Sequence, residues 1–540
     1  MPRIAAFRAV CYARVGREYD VRERLDSWKD IGGYLGRDIR TAQRWALNRG
    51  LPVRRVPGGD KPRVFALKSE IDGWLNAGGA GPTAEIPSIA VLPFVNLSGD
   101  PADECFGDGL ADDVIDGLAR IPDLRVTART SSFAFRNVQQ DVRQIGSRLG
   151  AANLLEGSVR RVGDRIRVSA QMVSAADGYH LWSQSYDRQF VDMFAIQSEI
   201  AHSIALALKV RLTTEPRAKR STENPKAYEF WLKGRSIGAP NTPEAYARAH
   251  ECYAAAIGLD PSFAEPYADT AAILFHAAEF GMNTSPDAPR QARDLVLKAL
   301  ELNDGLAEGH AVMGMVRALV EYDWAGAEIS FQRALQISPG SAWVRLYHAW
   351  YCLLPQRKVE QALVEAEEAV AQDPLNPMAH NVLGLVSMVA CNPARAEEEC
   401  RVAVDLAPGL WMPQWCLGAS MMMRRKLFQG FRQCRGVQDR FPLQPAVIGA
   451  MCMLYAKFFR RRKARQLLAQ LMELSKTAYV PPVAIAMAYF GLGDDRAFEW
   501  FDKAIEVRDP GLTQLASLPF FDHARGDPRF HRLLAKMNLV

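Results

Sequence analysis

The stretch 362–374, ALVEAEEAVAQDP, decides the fold of most of this chain. It sets Ala362, Ala366 and Ala369 on one helix face and closes the helix with Pro374. Positions i, i+4 and i+7 of a helix share a face, and proline cannot extend a helix. The same phrase, a small residue, a larger one four on, alanine three further and a closing proline, recurs on both sides. It reads Ala249-Tyr253-Ala256-Pro261, Ala292-Val296-Ala299 with Asp304 in the proline's place, Ala327-Phe331-Ala334-Pro339 and Ala396-Cys400-Ala403-Pro408. Successive closing positions are 43, 35, 35 and 34 residues apart. Pro442 follows 34 later, after a helix that has lost the alanine pattern, and Ala497-Phe501-Ala504 precedes Pro510. A second mark, glycine after an apolar residue, falls in the intervening helices at Gly314, Gly384 and Gly418. Small residues at fixed spacing let neighbouring helices approach, and a fixed period of this length is the signature of a stacked-repeat architecture.

This pattern resembles the tetratricopeptide repeat family over roughly 228–510, with AYEFWLKGRS (227–236) as the opening helix and LASLPFFDHARGDPRFHRLLAKM as a terminal cap. The resemblance implies a right-handed superhelix over 227–540 with a concave groove for a protein or peptide partner. Units between 430 and 480 are blurred. They carry two basic clusters, Arg424-Arg425-Lys426 and Arg460-Arg461-Arg462-Lys463, which are expected near turns on one edge. Solvated turn residues are the bland reading of these clusters, and a surface for an acidic partner or DNA backbone the sharper one.

At the other end, 26–77 reads as helix, turn, helix, hairpin, helix. Ser27 or Asp26 can cap a helix carrying Trp28, Ile31 and Leu35; Gly36 permits a turn; Asp38 can cap a second helix with Ile39, Ala42 and Trp45 inward. VRRV and RVFAL are expected as two strands, with a third helix ending at Trp74-Leu75. The phrases W-K-x-I-x-x-Y-L-G, R-T-x-Q-R-W and G-L-P-V resemble winged helix-turn-helix domains of the MerR and excisionase type, although Ala46 stands where relatives often place glutamate. Carried onto this chain, the resemblance implies duplex DNA as partner. Arg37, Arg40, Thr41, Gln43 and Arg44 would face base edges or nearby phosphates, and Arg54, Arg55, Lys61 and Arg63 would meet phosphates. Charge agrees: residues 1–80 carry 16 Lys+Arg against 9 Asp+Glu, a net of +7 in a chain whose total is +5. Residues 1–25 are expected to be a basic, disordered arm, and 78–87 a linker.

Between the ends, 88–212 reads as a mixed α/β domain, followed by a linker at 213–226. SIAVLPF is a buried strand, GLADDVIDGLARI a helix, LRVT a strand and DVRQIGSRLGA a helix. Leu154–Val162 and Arg165–Val173 form a hairpin about Gly163-Asp164, Leu181–Tyr186 is a further strand, and 192–210 an amphipathic helix. The phrases IAVLPFVNLSGD, FGDGLADDVIDGLARI, LLEGSVRRVGDRIRV and LWSQSYDR resemble the TolB amino-terminal-like domain. That family occurs beside tetratricopeptide arrays and adenylate cyclase domains in bacteria. On the helix, Asp108, Asp112 and Asp116 share a face beside Asp113, a set that could hold Mg²⁺ or act as acid and base. Acids favoured by the helix N-terminus are the alternative.

The whole is therefore expected to be multidomain: a small winged helix-turn-helix, a mixed α/β middle domain and a C-terminal all-α superhelix. Nine cysteines without a CxxC pair suit reduced thiols in the cytoplasm, and no apolar run is long enough to span a membrane. The nine histidines show no HxxH, HxxxH or HExxH spacing. Without a GxxxxGK[ST] loop, a GxSxG elbow or a His pair, the chain is expected to have no catalytic residue, metal or cofactor. The leading reading is a DNA-binding transcriptional regulator whose solenoid binds a protein and couples it to the N-terminal domain. A homodimer is compatible with it. A protein-interaction scaffold without DNA binding is the alternative.

Overall fold

The computed structural model describes residues 24–25, 27–36, 42, 45–46, 51–56, 63–68, 71–72, 74, 86–100, 103–121, 123–136, 138, 140–189, 193–208, 222–238, 243–279 and 287–540. The chain divides into two compact units, Met1–Ile86 and Pro87–Val540.

In the first unit, Ser27 caps helix α1 (Trp28–Tyr34), its hydroxyl accepting from the Asp30 N–H at 3.1 Å. Strands β1 (Arg24–Leu25), β2 (Arg54–Val56) and β3 (Arg63–Leu67) form an antiparallel sheet in the order β1-β3-β2. The sheet thus starts two residues before the position at which the sequence suggests the domain opens. Ala42, Trp45 and Ala46 are helical, as are Ile71, Asp72 and Trp74. Ile31, Ala42, Ala66 and Ile71 are fully buried, and the Trp45 and Trp74 rings lie 5.6 Å apart. Gly36, at φ +62°, makes the turn after α1 in the left-handed region that glycine enters without a Cβ clash.

The second unit starts with a six-stranded sheet. Strand β4 (Ser88–Val91) lies between β6 (Arg125–Val126) and β7 (Asn153–Val162), parallel to both; β5 (Val95–Asn96) also runs parallel to β7. Strands β8 (Arg165–Ser174) and β9 (His180–Gln189) extend the sheet antiparallel. The β7–β8 hairpin turns at Gly163, φ +59°, where the sequence places it. Helices α2 (Glu104–Ala119) and α5 (Met193–Ala207) share one core with the sheet; α3 (Arg129–Phe133) precedes α4 (Val142–Leu149), whose Ile145 and Leu149 join a second, smaller core.

From Pro225 the chain is helical, and eight antiparallel pairs follow among the described residues. They are α6 (Pro225–Gly238) with α7 (Pro243–Leu259), α8 (Glu265–Glu279) with α9 (Ala288–Leu302), α10 (Ala307–Val316) with α11 (Trp324–Ile337), and α12 (Ala342–Tyr347) with α13 (Val359–Gln372). Then come α14 (Pro377–Val389) with α15 (Pro393–Leu406), α16 (Trp411–Met423) with α17 (Leu427–Arg440), α18 (Pro445–Lys457) with α19 (Arg461–Leu474), and α20 (Pro482–Leu492) with α21 (Arg496–Glu506). Helices α10 and α12 continue as π-helical segments, Arg317–Glu321 and His348–Leu353. Two 3-10 turns (Pro510–Ala516, Pro519–Ala524) and α22 (Pro528–Lys536) close the chain. The array is a tetratricopeptide-like superhelix, in agreement with the repeat.

The motif residues explain the stacking. Every alanine of the repeated phrase is buried, and Tyr253, Phe331 and Cys400 each fill a gap left by a glycine in the partner helix. A Cβ on Gly314 would lie 2.7 Å from Phe331, on Gly384 2.6 Å from the Cys400 sulfur, and on Gly418 2.5 Å from the Cys434 sulfur. Alanine at any of these would overpack the pair, at a typical cost of about 1–3 kcal/mol. The stretch at 430–480 is as regular as the rest: Gly430, Cys434 and Val437 on α17 hold the buried positions with a different choice of residues. A left-handed residue recurs at the turn inside six consecutive pairs, at Tyr322, Arg357, Cys391, Arg425, Phe459 and Gly493.

Two docking events complete this unit. The first helical pair shares its core with the α/β layer: Tyr228, Trp231, Tyr253 and Phe263 pack with Phe106, Leu110 and Ile196. The C-terminal segment folds back onto the third and fourth pairs. Trp324 Nε1 donates to the Met537 carbonyl at 2.7 Å, Asn538 Nδ2 to the Tyr322 carbonyl at 3.1 Å, and Leu518, Phe520 and Leu539 pack on the core of pairs two to six.

Candidate functional site

The carboxylates of α2 lie in the seam between the α/β layer and the solenoid. Asp108 accepts from Arg136, which also reaches Glu104 at 3.1 Å. Asp112 lies 3.3 Å from Arg129 and 3.0 Å from Arg235, and Asp113 accepts from the Gln197 amide and the Tyr228 hydroxyl. Tyr228 and Arg235 belong to α6, the opening helix of the solenoid. Burial pushes Asp113 up to about 7 against the Tyr228 hydrogen bond, and lifts Asp116 well above the usual carboxylate range with added repulsion from Glu308 and Asp112. Asp269 on α8 accepts from Trp231 Nε1 at 2.8 Å and is raised to about 6 by burial, with Arg235 opposing. One carboxylate oxygen of each of Asp108, Asp112 and Asp113 is thus engaged by a protein cation or donor. The acid face joins two parts of the fold.

The seam continues along the loops that end the helical pairs. The Gly340 N–H donates to the Ala119 carbonyl at 3.0 Å, and Ala128 N–H to the Gln372 carbonyl at 2.8 Å. Buried Asp373 accepts from the Ser131 N–H at 2.9 Å, while the Ser131 hydroxyl accepts from Leu375 N–H at 2.8 Å. These partners lie more than 200 residues apart in sequence, so no local signal announces them.

Of the residues expected to meet DNA, Arg37, Arg40, Thr41, Gln43, Arg44 and Lys61 lie outside the described residues. Arg54 and Arg55 lie on β2 and Arg63 on β3, with Val56 opposite Arg63, Arg55 opposite Val64 and Arg54 opposite Phe65. The two strands expected from VRRV and RVFAL pair with each other, and sequence reading missed β1.

The basic clusters at 424–426 and 460–463 both fall at turns inside pairs, as expected. Arg424 and Lys426 turn inward to buried Glu397, at 2.9 and 2.7 Å. Beside them Phe428 and Phe459 stand 81% and 94% exposed. A groove of about 210 Å³ opens in the same pair, lined by Gln414, Met421, Gln429, Arg432 and Arg440.

No protein-family model matches the chain. Over 237 residues, 42% of the chain and 40% of the relative, it is 37% identical to a protein of Rhizobium meliloti (strain 1021) named "Putative adenylate cyclase 3". Over 293 residues, 53% of the chain and 51% of the relative, it is 22% identical to the transcriptional regulator HilA of Salmonella typhimurium. The chain therefore spans about half or less of these relatives. Among solved structures, Pseudomonas aeruginosa pilF aligns with 40% of this chain and 94% of its own at 21% identity and a TM-score of 0.30. A human IFIT1 dimer with m7Gppp-AAAA aligns with 59% and 80% at 14% identity and a TM-score of 0.40. At those scores the repeat assignment rests on this chain's own helices.

One expectation is corrected. The missing loops and His pairs led to the exclusion of catalysis, and the 37% match to a protein bearing an enzyme's name overturns that exclusion. The physical reason is that short motifs exclude only the chemistries that need them. Among the described residues no helix is long and apolar enough to cross a membrane.

Proposed function

We propose that this chain is a transcriptional regulator in which the N-terminal unit binds duplex DNA and the helical pairs receive a protein partner. The observation that carries the reading is the charge: +7 lies within residues 1–80 of a chain whose remainder is slightly acidic, and those residues belong to a compact unit of their own. The 22% match to HilA supports regulation. Helix α1 and the β2–β3 hairpin, with Arg54, Arg55 and Arg63 on its strands, support the DNA-binding part. Phosphate contacts make affinity fall with salt, each by roughly 0.9 in the log–log slope. The full chain should therefore shift duplex DNA with a steep salt dependence. Replacing Arg54, Arg55 and Arg63 by alanine should lower that slope by about 2–3. Binding that ignores salt, or that the triple variant leaves unchanged, would sink the DNA assignment.

A second reading rests on the Rhizobium relative: cyclisation of ATP by this chain. Cyclic AMP formation by the purified full chain, with Mg²⁺ and with Mn²⁺, tests it directly; product no faster than in a protein-free control removes it.

A further inference from the structure

Where the third and fourth helical pairs meet, three different metal-ligand types converge. Glu328 comes from α11; His348 and Cys352, four residues apart, come from the π-helical end of α12. One donor atom from each lies within 4.8 Å of the others. His348 is 2% exposed, with Nε2 3.2 Å from Glu328 Oε1, and Cys352 Sγ is 3.7 Å from Glu328 Oε2. Tetrahedral zinc with bonds of about 2.0–2.3 Å holds neighbouring donors roughly 3.3–3.7 Å apart, so the set needs little adjustment to close on an ion.

Two further observations point to a ligand. Neither ring nitrogen of His348 makes a hydrogen bond of good geometry, although the ring is buried and stacks 5.2 Å from Phe331. A buried imidazole left so costs free energy that a metal bond would recover. Behind the ring, Glu365 Oε1 lies 3.8 Å from Nδ1 and is itself held by Arg345 at 2.7 Å. A carboxylate behind a metal-bound histidine fixes the tautomer and leaves the opposite nitrogen free to coordinate. π-helical turns inside longer helices are frequent at functional sites, which fits the placement.

We propose that Glu328, His348 and Cys352 bind one Zn²⁺-class divalent ion, with water as the fourth ligand. Mixed nitrogen, sulfur and oxygen donors suit zinc over magnesium or calcium, which prefer oxygen alone. A nucleophilic role for the cysteine fits less well. Cys352 is fully buried, and burial together with Glu328 pushes its thiol up to about 12. On binding, the thiol proton is released to solvent as the sulfur bonds the ion. Lys358, 3.6 Å from Glu328 and 40% exposed, has room to swing out.

The test uses the full chain, stripped by chelator and titrated with Co²⁺ alone. One equivalent should give the visible bands of tetrahedral cobalt and a near-ultraviolet thiolate-to-cobalt band, both bleached by one equivalent of Zn²⁺. Cys352→Ser should lose the thiolate band, and Glu328→Gln should weaken Co²⁺ at least tenfold. Circular dichroism reports folding of each variant; should Cys352→Ser unfold, Glu328→Gln, at a partly exposed position, decides alone. A folded wild-type chain without cobalt bands at micromolar Co²⁺ overturns the proposal. So does a thiolate band that survives Cys352→Ser, or Co²⁺ affinity unchanged in folded Glu328→Gln.

Discussion

The solenoid treats its helix ends in two opposite ways. At pairs one to four, the ends meet the α/β layer, and the side chains there are buried acids matched to partners: Asp112 with Arg235, Asp113 with Tyr228 and Gln197, Asp373 with Ser131. At pairs six and seven the turns face water and display Phe428, Phe459 and a run of arginines. The helical pairing is the same in both places, although α17 and α19 fill their buried stripe without the alanine pattern. The pattern governs only the interior of each pair, where Ala, Gly and the large residue interlock. The ends are free to become either an internal joint or an open surface, and the charges show which.

The comparison breaks most visibly at the joint. Arg235→Ala removes the cation between Asp112, Asp116 and Asp269. Stripping one partner from a buried pair typically costs 3–5 kcal/mol, and because Arg129 still faces Asp112 the loss should be near the lower end, about 3 kcal/mol in a denaturant titration. Next comes pH. Asp113 at about 7 and Asp269 at about 6 stand above the 3.8 of an ordinary aspartate. These two groups therefore hold more protons in the folded chain than in the unfolded one between about pH 4 and 7, and their contribution to stability falls as pH rises through that window, while buried His276, lowered to about 4, acts in the opposite sense. Asp113→Asn should flatten the fall, by on the order of 2 kcal/mol between pH 4 and 8 after allowance for solvent screening. An unchanged pH profile would show that Asp113 does not titrate in the joint.

The smallest effects belong at the open turns. Phe459 has a φ of +61° and no burial to offset it. Phe459→Gly should leave stability unchanged or raise it by up to about 1 kcal/mol, since glycine meets no Cβ penalty there. Reversing the charges of Arg425, Arg462 and Lys463 should move stability by no more than about 0.5 kcal/mol each. A loss of several kcal/mol from either change would mean these turns are a joint too.

The interior of the pairs was legible in the sequence because its rule is local. Ala at i and i+7 with a large residue between appears within eight positions. The helix at 427–440 reads as blurred because Gly430-Cys434-Val437 keeps the spacing while changing the residues. The left-handed turns were hidden for a similar reason: only Gly493 announces one, while Tyr322, Arg357, Cys391, Arg425 and Phe459 carry no local mark. The joint was beyond reach, since Ser131 and Asp373 meet only through the fold. The acid face of α2 was found, but its partners on α6 were not. Of the Glu328, His348 and Cys352 cluster, a search limited to paired histidines sees nothing, whereas a mixed His-x3-Cys spacing would have flagged two of the three.

A stack in which each repeat touches only its neighbours behaves as a spring: it can stretch, and its ends fray first. Here Trp324 and Tyr322 bond to Met537 and Asn538, so the last turns are pinned to the third pair, and a coil of five intervening pairs is clasped at both ends. Pulled on, such a coil should resist until the clasp opens and only then extend. Cut before residue 528, it should become both softer and less cooperative.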